Sequence, residues 1–313
     1  MGGLSAEHEV SLATGKNVFE HLDRSKYEPI AIKISKDKKW FLNDKLTTEV
    51  GALKVCDIVF NALHGTFGED GRVQALLEYY DAKYTGSGVC SSALAMDKLR
   101  SREIFKLSGL NVPKTLKLRR GNNYQALLNV FVNKVTNFPV VVKPCSNGSS
   151  VGVKIVKEKS KLDKAIEEAF KVDSKVLIEE FIKGREFTCV VLENFDGQSV
   201  AALPVTEIIP KRGHKFFDYD AKYKAGHSDE VTPAFIDEET TKKVQEIAIR
   251  AHQVLGCKAY SRTDVLLRGG DIFILEINTL PGLTSNSLLP KAAQVARLTF
   301  SQLLDKIIES SLI

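Results

Sequence analysis

Two strand-length runs separated by a Gly-Gly pair are the feature that most constrains how this chain folds. The runs span Arg262–Arg268 and Ile272–Asn278, and both are rich in Val, Leu, Ile and Phe around Gly269-Gly270. Apolar β-formers on both sides of a glycine turn predict a β-hairpin. We expect a three-residue turn, in which Arg268 pairs with Ile272.

This pairing places Asp264 directly opposite Glu276. Because side chains alternate along a strand, Asn278 lies on the same face as Glu276, so three oxygen-bearing groups converge. Oxygen ligands without His or Cys favour magnesium bound together with substrate phosphates over zinc. A polar face open to water is the alternative reading. The apolar neighbours Leu275 and Ile277 favour buried carboxylates, which need a cationic partner.

A second pattern joins a lysine to a loop of small residues. An apolar strand over Phe138–Pro144 carries Lys143, and Ser146–Ser150 follows as a small polar loop. Small residues let backbone N–H groups approach phosphate oxygens, although most such loops are ordinary turns. The chain has no GxxxxGK[ST] loop, and Gly86-Ser87-Gly88 lacks the third glycine of a dinucleotide fingerprint. Neither a P-loop enzyme nor a dehydrogenase fits, and the absence of Gly-x-Ser-x-Gly removes the basis for a hydrolase triad.

Length and composition limit the remaining classes. A chain of 313 residues predicts roughly two or three domains. The net charge of +5 comes from dispersed lysines, which argues against nucleic acid as a partner. No apolar run reaches the roughly 18 residues that a membrane span needs. The five cysteines form no CxxC pair and are typical of a reducing cytosol, so we expect a cytoplasmic protein without a membrane segment.

The order of elements predicts an α/β protein, α+β in part. Gly2-Gly3 precedes a helix with Leu12, Phe19 and Leu22 on one side, and a strand over Val55–Leu63 leads through HGTFGEDG into a helix over Arg72–Tyr80. This alternation predicts a parallel sheet in the first domain. A helix after Asp237 ends at Gly256. We divide the chain into an N-terminal substrate domain (1–86), a central domain (87–178) and a C-terminal domain with the metal and substrate sites (179–313).

Eight collinear motifs resemble the D-alanine:D-alanine ligase family of the ATP-grasp fold, and they cover essentially the whole chain. They are GGLSAEHEVS, NALHGTFGEDG, YTGSGVCSSALAMDKLRSR, VVKPCSNGSSVGV, VLIEEFIKGREFT, FFDYDAKY, RTDV and LEINTLPGLTSNSLLP. The resemblance implies a three-domain ATP-grasp fold. In that family a hydrophobic strand precedes the Gly-Gly motif, and this chain begins Met1-Gly2-Gly3, so we expect the first strand of the N-terminal sheet to be lacking.

The resemblance also implies a role for individual residues. The ATP-binding set is Lys98, Lys143, Glu179, Phe181, Ile182, Glu186 and Lys222. The metal set, for two Mg²⁺ ions with Mn²⁺ as the alternative, is Asp264, Glu276 and Asn278. The catalytic and substrate set is Glu7, His64, Ser149, Tyr223, Arg262, Gly282 and Ser287. The hairpin pattern and the resemblance therefore point to the same metal ligands.

The implied reaction is the ATP-dependent ligation of two D-alanines through an acyl phosphate, for cell-wall peptidoglycan, by a homodimer. Two other classes stay open. One is a ligase that uses D-lactate or D-serine as acceptor, and Tyr223 in the lid favours D-alanine over these. The other is a catalytically silent nucleotide-binding protein, which the presence of Arg262 and all three metal ligands disfavours. A purely structural partner protein has no need for so many convergent polar groups.

Overall fold

The computed structural model describes residues 1–146, 152–211 and 228–312. In these residues no helix is both long and apolar enough to cross a membrane. The helices are α1 His8–His21, α2 Glu49–Leu53, α3 Arg72–Tyr79, α4 Val89–Met96, α5 Lys98–Leu107, α6 Gln125–Val130, α7 Leu162–Val172, α8 Glu238–Val254, α9 Leu288–Val295 and α10 Phe300–Leu312, with a π-helical turn at Phe131–Thr136 and a 3₁₀ turn at Lys159–Lys161.

The strands form three sheets. They are β1 Ile32–Ile34, β2 Trp40–Leu42, β3 Lys45–Thr47, β4 Thr115–Arg119, β5 Val140–Pro144, β6 Lys154–Val156, β7 Lys175–Glu180, β8 Arg185–Phe195, β9 Gln198–Ala202, β10 Thr206–Pro210, β11 Ser228–Val231, β12 Tyr260–Arg268 and β13 Asp271–Asn278. The sheet orders are β1-β2-β3, β4-β7-β5-β6 and β11-β10-β8-β12-β13, with β9 also paired to β8. Mixed helices and sheets confirm the predicted fold class.

Parallel pairing in the N-terminal part is confined to two isolated bridges, Gly2 with Ile34 and Val59 with Tyr84. The strands β1, β2 and β3 pair antiparallel, so the parallel sheet predicted for this part is present only as these bridges. No strand precedes β1 in the described residues. Instead Met1 and Gly3 exchange backbone hydrogen bonds with Ile34, at 2.9 and 2.7 Å, beside β1.

The strand predicted over Val55–Leu63 is wrong, because only Val59 pairs with a neighbouring segment. Side-chain oxygens occupy the amides that a longer ladder would use. The Thr85 hydroxyl accepts from the amide of Asn61 at 3.0 Å, and the Asn61 carboxamide accepts from the amide of Leu63 at 3.1 Å. Such local side-chain bonds compete with strand pairing.

The buried face of α1 is polar in its first half, which corrects the predicted apolar face at Leu12 and Phe19, while Leu22 packs against an apolar cluster. Its buried positions are Ser11, Thr14, Gly15 and Val18. The Ser11 hydroxyl donates to the Ala62 carbonyl at 2.7 Å and accepts from the Gly2 amide at 2.8 Å. The first half of the helix therefore packs through hydroxyl groups against the segment around Ala62 and His64, whereas Val18 and Leu22 join an apolar cluster.

The four-stranded sheet is covered by α7. This helix presents Ala165, Ile166, Ala169 and Phe170 to the sheet, at helical spacing. Within this sheet β5 and β7 pair antiparallel, with Val141 opposite Glu179. The strand predicted over Phe138–Pro144 is confirmed from Val140 onward. This sheet positions Lys143 and Glu179.

The larger sheet is covered by α8, which confirms the helix predicted after Asp237. Val244, Ala248 and Ala251 face the core beneath β8 and β12. Asp237 caps the helix, because its carboxylate accepts from the Thr240 amide at 2.7 Å. The other face of this sheet is divided between a second apolar cluster, which includes Val190 and Leu192, and the lining of a cavity, which includes Asp264 and Leu266.

The β12–β13 hairpin confirms the pairing of Asp264 with Glu276 but corrects the turn that produces it. Arg268 pairs with Asp271, so the turn contains two residues instead of three. The register shifts between Asp264 and Val265, where Leu275 is left as an extra residue in β13. This β-bulge offsets the shorter turn, and it lets two consecutive residues, Leu275 and Glu276, line the same cavity.

Candidate active site

Two cavities meet at the hairpin. The larger one, about 660 Å³, lies between the four-stranded and the larger sheet, and the smaller one, about 420 Å³, lies between the hairpin, the start of α1 and the start of α9. Lys98 and Glu276 line both cavities. Their side chains form an ion pair of 3.1 Å at this junction.

Lys98 reaches the junction because it opens α5. Asp97 is the N-cap of this helix, and its carboxylate accepts from the amides of Leu99 and Arg100 at 3.1 and 3.2 Å. The cap fixes where the helix begins, so the first helical side chain projects over the hairpin. The helix continues to Leu107.

A buried charge cluster lies at the inner end of the larger cavity. Lys143 lies 3.0 Å from Glu179, and the guanidinium of Arg102 also donates to Glu179. Burial, reinforced by Arg102, lowers the pKa of Lys143 to about 8. Burial alone raises the pKa of Glu179, but Arg102 and Lys143 outweigh it, so the pKa of this carboxyl lies below its usual value. The carboxylate stays ionised between two cations.

The remaining predicted ATP-binding residues in the described part of the chain also line this cavity. Phe181 and Ile182 follow β7, and Glu186 lies near the start of β8. Val141, Ile155 and Leu266 add apolar walls. The larger cavity thus combines apolar walls with lysines at one end, a composition that suits a flat heterocycle attached to phosphates.

Asp264 is held by two neighbouring side chains. Arg262 grips both of its oxygens, with Nε and Nη2 each 2.8 Å away, and the Thr188 hydroxyl donates to it at 2.7 Å. Arg262 and Asp264 are two apart on β12 and share a face, while Thr188 pairs with Asp264 from β8. The strand register therefore orients this carboxylate.

The three predicted metal ligands fit a hard cation. Asp264 lines the larger cavity, Asn278 the smaller one and Glu276 both. The described residues contain no cluster of three His, Cys, Asp or Glu side chains that could hold a metal ion. The set proposed here differs, because its third oxygen comes from the amide of Asn278. Magnesium needs only one or two carboxylates beside substrate phosphates and waters, so this donor set suffices. The Asn278 amide oxygen accepts from the Leu280 amide at 2.8 Å, which orients it.

The far end of the smaller cavity is formed by Gly282 and Ser287. A side chain at Gly282 would stand 2.8 Å from the Ser287 hydroxyl, so only glycine fits without displacement. Ser287 precedes α9 but does not cap it through its side chain; its hydroxyl accepts from the Thr284 amide at 3.1 Å. The first amides of α9 lie beside the cavity, a position suited to a carboxylate.

His64 and Glu7 also line the smaller cavity. The Nε2 atom of His64 lies 2.8 Å from the Thr14 hydroxyl, and its Nδ1 atom lies 3.5 Å from Glu69. Glu7 immediately precedes α1, and its Oε2 atom lies 2.5 Å from the position of a Cβ on Gly65. Gly65 has a φ of +68°, so glycine is favoured there by both conformation and space.

The structure thus brings together, around two joined cavities, every predicted site residue that it describes. Ser149, Tyr223 and Lys222 lie outside the described residues. The sequence reasoning missed three polar residues that the structure adds to the cluster: Arg102, Glu69 and Thr188. Glu69 stands in the HGTFGEDG motif, which was a usable signal. Arg102 and Thr188 also lie in resembling motifs, as the last residues of YTGSGVCSSALAMDKLRSR and VLIEEFIKGREFT, but their partners are distant in sequence.

Two protein families match this chain, one in its N-terminal part and one over the rest. A family described as D-ala D-ala ligase C-terminus matches residues 104–309. One described as D-ala D-ala ligase N-terminus matches residues 1–55 and 43–87. The D-alanine–D-alanine ligase of Syntrophobacter fumaroxidans is 43% identical over 99% of this chain and 96% of its own length. That of Citrifermentans bemidjiense is 44% identical, over 99% and 94%.

Solved structures agree with these relatives. A D-Ala:D-Ser ligase from Enterococcus faecalis superposes with a TM-score of 0.86 at 35% identity, covering 99% of this chain and 97% of its own. A D-alanine–D-alanine ligase from Bacillus anthracis complexed with ATP has a TM-score of 0.81 at 36% identity, covering 100% and 95%.

Proposed function

This chain belongs to the D-alanine–D-alanine ligase family, and on that basis we propose that it joins two D-alanines into D-alanyl-D-alanine with conversion of ATP to ADP and phosphate. The observation that carries the proposal is the junction of the two cavities at Lys98 and Glu276. A nucleotide in the larger cavity and amino acids in the smaller one would meet there. The dipeptide serves peptidoglycan precursor synthesis, and we place the enzyme in the cytoplasm as a homodimer.

In this proposal ATP occupies the larger cavity. Glu179 and the backbone of Phe181 and Ile182 hold the adenine, and Glu186 binds the ribose. The lysines Lys98 and Lys143 contact phosphates, as does Lys222. Support comes from the burial of Lys143 beside Glu179 at the end of an apolar cavity.

Asp264, Glu276 and Asn278 would hold two Mg²⁺ ions, or Mn²⁺, against the phosphates of ATP. When bound, the ions supply positive charge that neutralises phosphate oxygens. The chain's own cations share this task, because Arg262 and Lys98 already balance Asp264 and Glu276. Their guanidinium and ammonium groups are set at the junction before any ligand arrives.

The chemistry follows from the poor reactivity of a free carboxylate. A carboxylate oxygen of the first D-alanine attacks the γ-phosphorus of ATP, the bond to the β-γ bridging oxygen breaks, and ADP leaves. The amine of the second D-alanine then attacks the acyl carbon of the resulting acyl phosphate, loses a proton and expels phosphate. Arg262 and the backbone N–H of Gly282 stabilise the tetrahedral oxyanion, because preorganised donors need no reorientation.

The smaller cavity would hold both amino acids. Glu7 binds the ammonium of the first, with Ser149 and Tyr223 completing its set by family resemblance, and His64 orients the substrates. Ser287 binds the carboxylate of the second. Glu7 and Ser287 both line this cavity, which supports the arrangement.

One experiment tests the reaction and the acceptor together. Phosphate release and dipeptide formation are measured with ATP, magnesium and D-alanine, with added D-lactate or D-serine, and with L-alanine as control. D-alanyl-D-alanine from D-alanine alone supports the proposal. D-serine is included because one structural neighbour is a D-Ala:D-Ser ligase. ATP binding without product in every mixture would instead support a silent nucleotide-binding protein.

A further inference from the structure

We propose that Arg102 is a positioning residue that fixes the carboxylate of Glu179 and the backbone beside Glu276 in one geometry, so that ATP and the proposed metal ligands are held in register. The inference rests on the proposed function. Arg102 lies on the inner side of α5 and is 3% exposed. Its side chain contacts elements from both large sheets.

The guanidinium divides its donors between the two sheets. On one side Nη1 donates to Glu179 on β7 and to the Thr115 hydroxyl on β4, the latter at 3.2 Å. On the other side Nη2 and Nε donate to the carbonyl of Leu275 on β13 at 2.8 and 3.2 Å. A planar fork with fixed donor directions can bridge these acceptors, whereas a single ammonium is a point donor.

The contact with Leu275 reaches the site through the β-bulge. Leu275 is the extra residue in β13 and has no partner in the register with β12. A partly buried carbonyl without a hydrogen-bond partner costs free energy, and the arginine supplies the partner. The same bulge brings Glu276 opposite Asp264. Arg102 therefore stabilises the local backbone shape on which the pairing of these carboxylates depends.

The contact with Glu179 acts through charge. Glu179 has two cationic partners, Arg102 and Lys143, and all three side chains are buried. If Lys143 turns toward a phosphate, Arg102 remains to balance the carboxylate. Without Arg102, Lys143 would be the one cation in the described residues within ion-pair distance of Glu179, and moving it would leave a buried charge uncompensated.

The test compares Arg102→Met and Arg102→Lys with the control Arg100→Met. Arg100 lies on the same helix, its side chain is 64% exposed, and its ion-pair partner is Glu103. We would measure the ATP dissociation constant by calorimetry, kcat, KM for each substrate, and the melting temperature. We expect Arg102→Met to weaken ATP binding and lower kcat, each by about tenfold or more, with KM for D-alanine within about twofold of the wild type.

The lysine variant separates the two contacts. Arg102→Lys restores the charge beside Glu179 and should recover most of the ATP affinity, but kcat should stay about tenfold low, because one ammonium cannot serve both Glu179 and Leu275. Wild-type kcat in Arg102→Lys overturns the inference, and this variant decides the matter if Arg102→Met does not fold. Equal losses in ATP affinity, D-alanine KM and kcat that follow the melting temperature also overturn it.

The failure of the proposed function has a different signature. A wild-type protein that binds ATP but forms no dipeptide contradicts the ligase proposal. The role of Arg102 is then tested by the ATP dissociation constants alone. In that case unchanged ATP affinity in Arg102→Met overturns the positioning role, and weakened affinity supports it.

Discussion

Asp264 and Glu276 face each other across β12 and β13 because Leu275 is inserted as an extra residue in β13. A two-residue turn without this bulge would place Asp264 opposite Leu275 instead. Since a shift of one residue moves a side chain to the other face of a sheet, the bulge determines which groups enter the cavities.

Replacement of Glu276 by Ala should lower kcat by about a hundredfold or more while the fold persists. The change removes a proposed metal ligand and the carboxylate that pairs with Lys98 at the junction. Phosphate release at saturating magnesium and thermal melting would be measured together. Asp271→Asn is the matched control, because Asp271 opens the same strand and is exposed. Ligation within about tenfold of the wild type would contradict the metal assignment.

Replacement of Gly65 by Ala should raise KM for D-alanine by about tenfold, because the new methyl group would stand 2.5 Å from the Oε2 atom of Glu7. A left-handed φ adds about 1–2 kcal/mol of strain. Gly121→Ala isolates the strain, since Gly121 has a φ of +85° and open space around it. Steady-state kinetics and melting distinguish the two effects. The same KM in both variants would show that Glu7 does not bind substrate.

The affinity for ATP should fall as pH rises above about 8. The pKa of Lys143 is lowered by burial from its usual 10.5 to about 8, so its ammonium is lost at that pH. Between these two pH values the unfolded chain binds more protons than the folded one. The contribution of Lys143 therefore makes the folded state more stable as pH rises through this range, because the buried ammonium loses its charge. Calorimetric ATP titrations from pH 6.5 to 9.5, about three units around this pKa, would follow the effect.

Lys143→Arg is the matched variant for that titration. Its guanidinium stays charged over the whole pH range, so we expect no alkaline loss of ATP affinity in this variant between the two ends of the titration. The exposed Lys154→Met serves as control, since Lys154 pairs with Glu168 on the protein surface. An alkaline loss identical in Lys143→Arg and the wild type would assign it to another group.

The cap of α8 gives a test of stability that is independent of activity. Asp237→Ala should lower the free energy of unfolding, because the carboxylate accepts from both the amide and the hydroxyl of Thr240. Urea denaturation would measure this change. Asp237→Asn keeps an acceptor and should lose less. A larger loss in the Asn variant than in the Ala variant would be inconsistent with a capping role.

The elements with strong local patterns could be predicted from sequence. The helix after Asp237 carries its own cap and apolar face, and the hairpin carries alternating residues around two glycines. The α1 face could not be predicted, because Ser11 and Thr14 are buried by partners in a distant loop. Periodicity of apolar residues does not detect a helix that packs through hydroxyl groups.

The residues of the candidate site divide in the same way, into those whose partners are close in sequence and those whose partners are distant. Asp264 and Glu276 were accessible to reasoning because both lie on one hairpin, even though the assumed turn was one residue too long. Arg102 was not, because it is 77 residues from Glu179 and 173 from Leu275. Its role depends on the packing of two sheets, which a local motif does not encode.

The side chains of Lys98 and Glu276 line both cavities where the cavities meet. One molecule that spans this junction beside the ion pair could occupy both cavities and lose its rigid-body freedom only once. Joining a nucleotide to an amino acid through a short tether converts the second association into an intramolecular step. The distance between the nucleotide in the larger cavity and the amino acid in the smaller one therefore sets the tether length for a bisubstrate inhibitor.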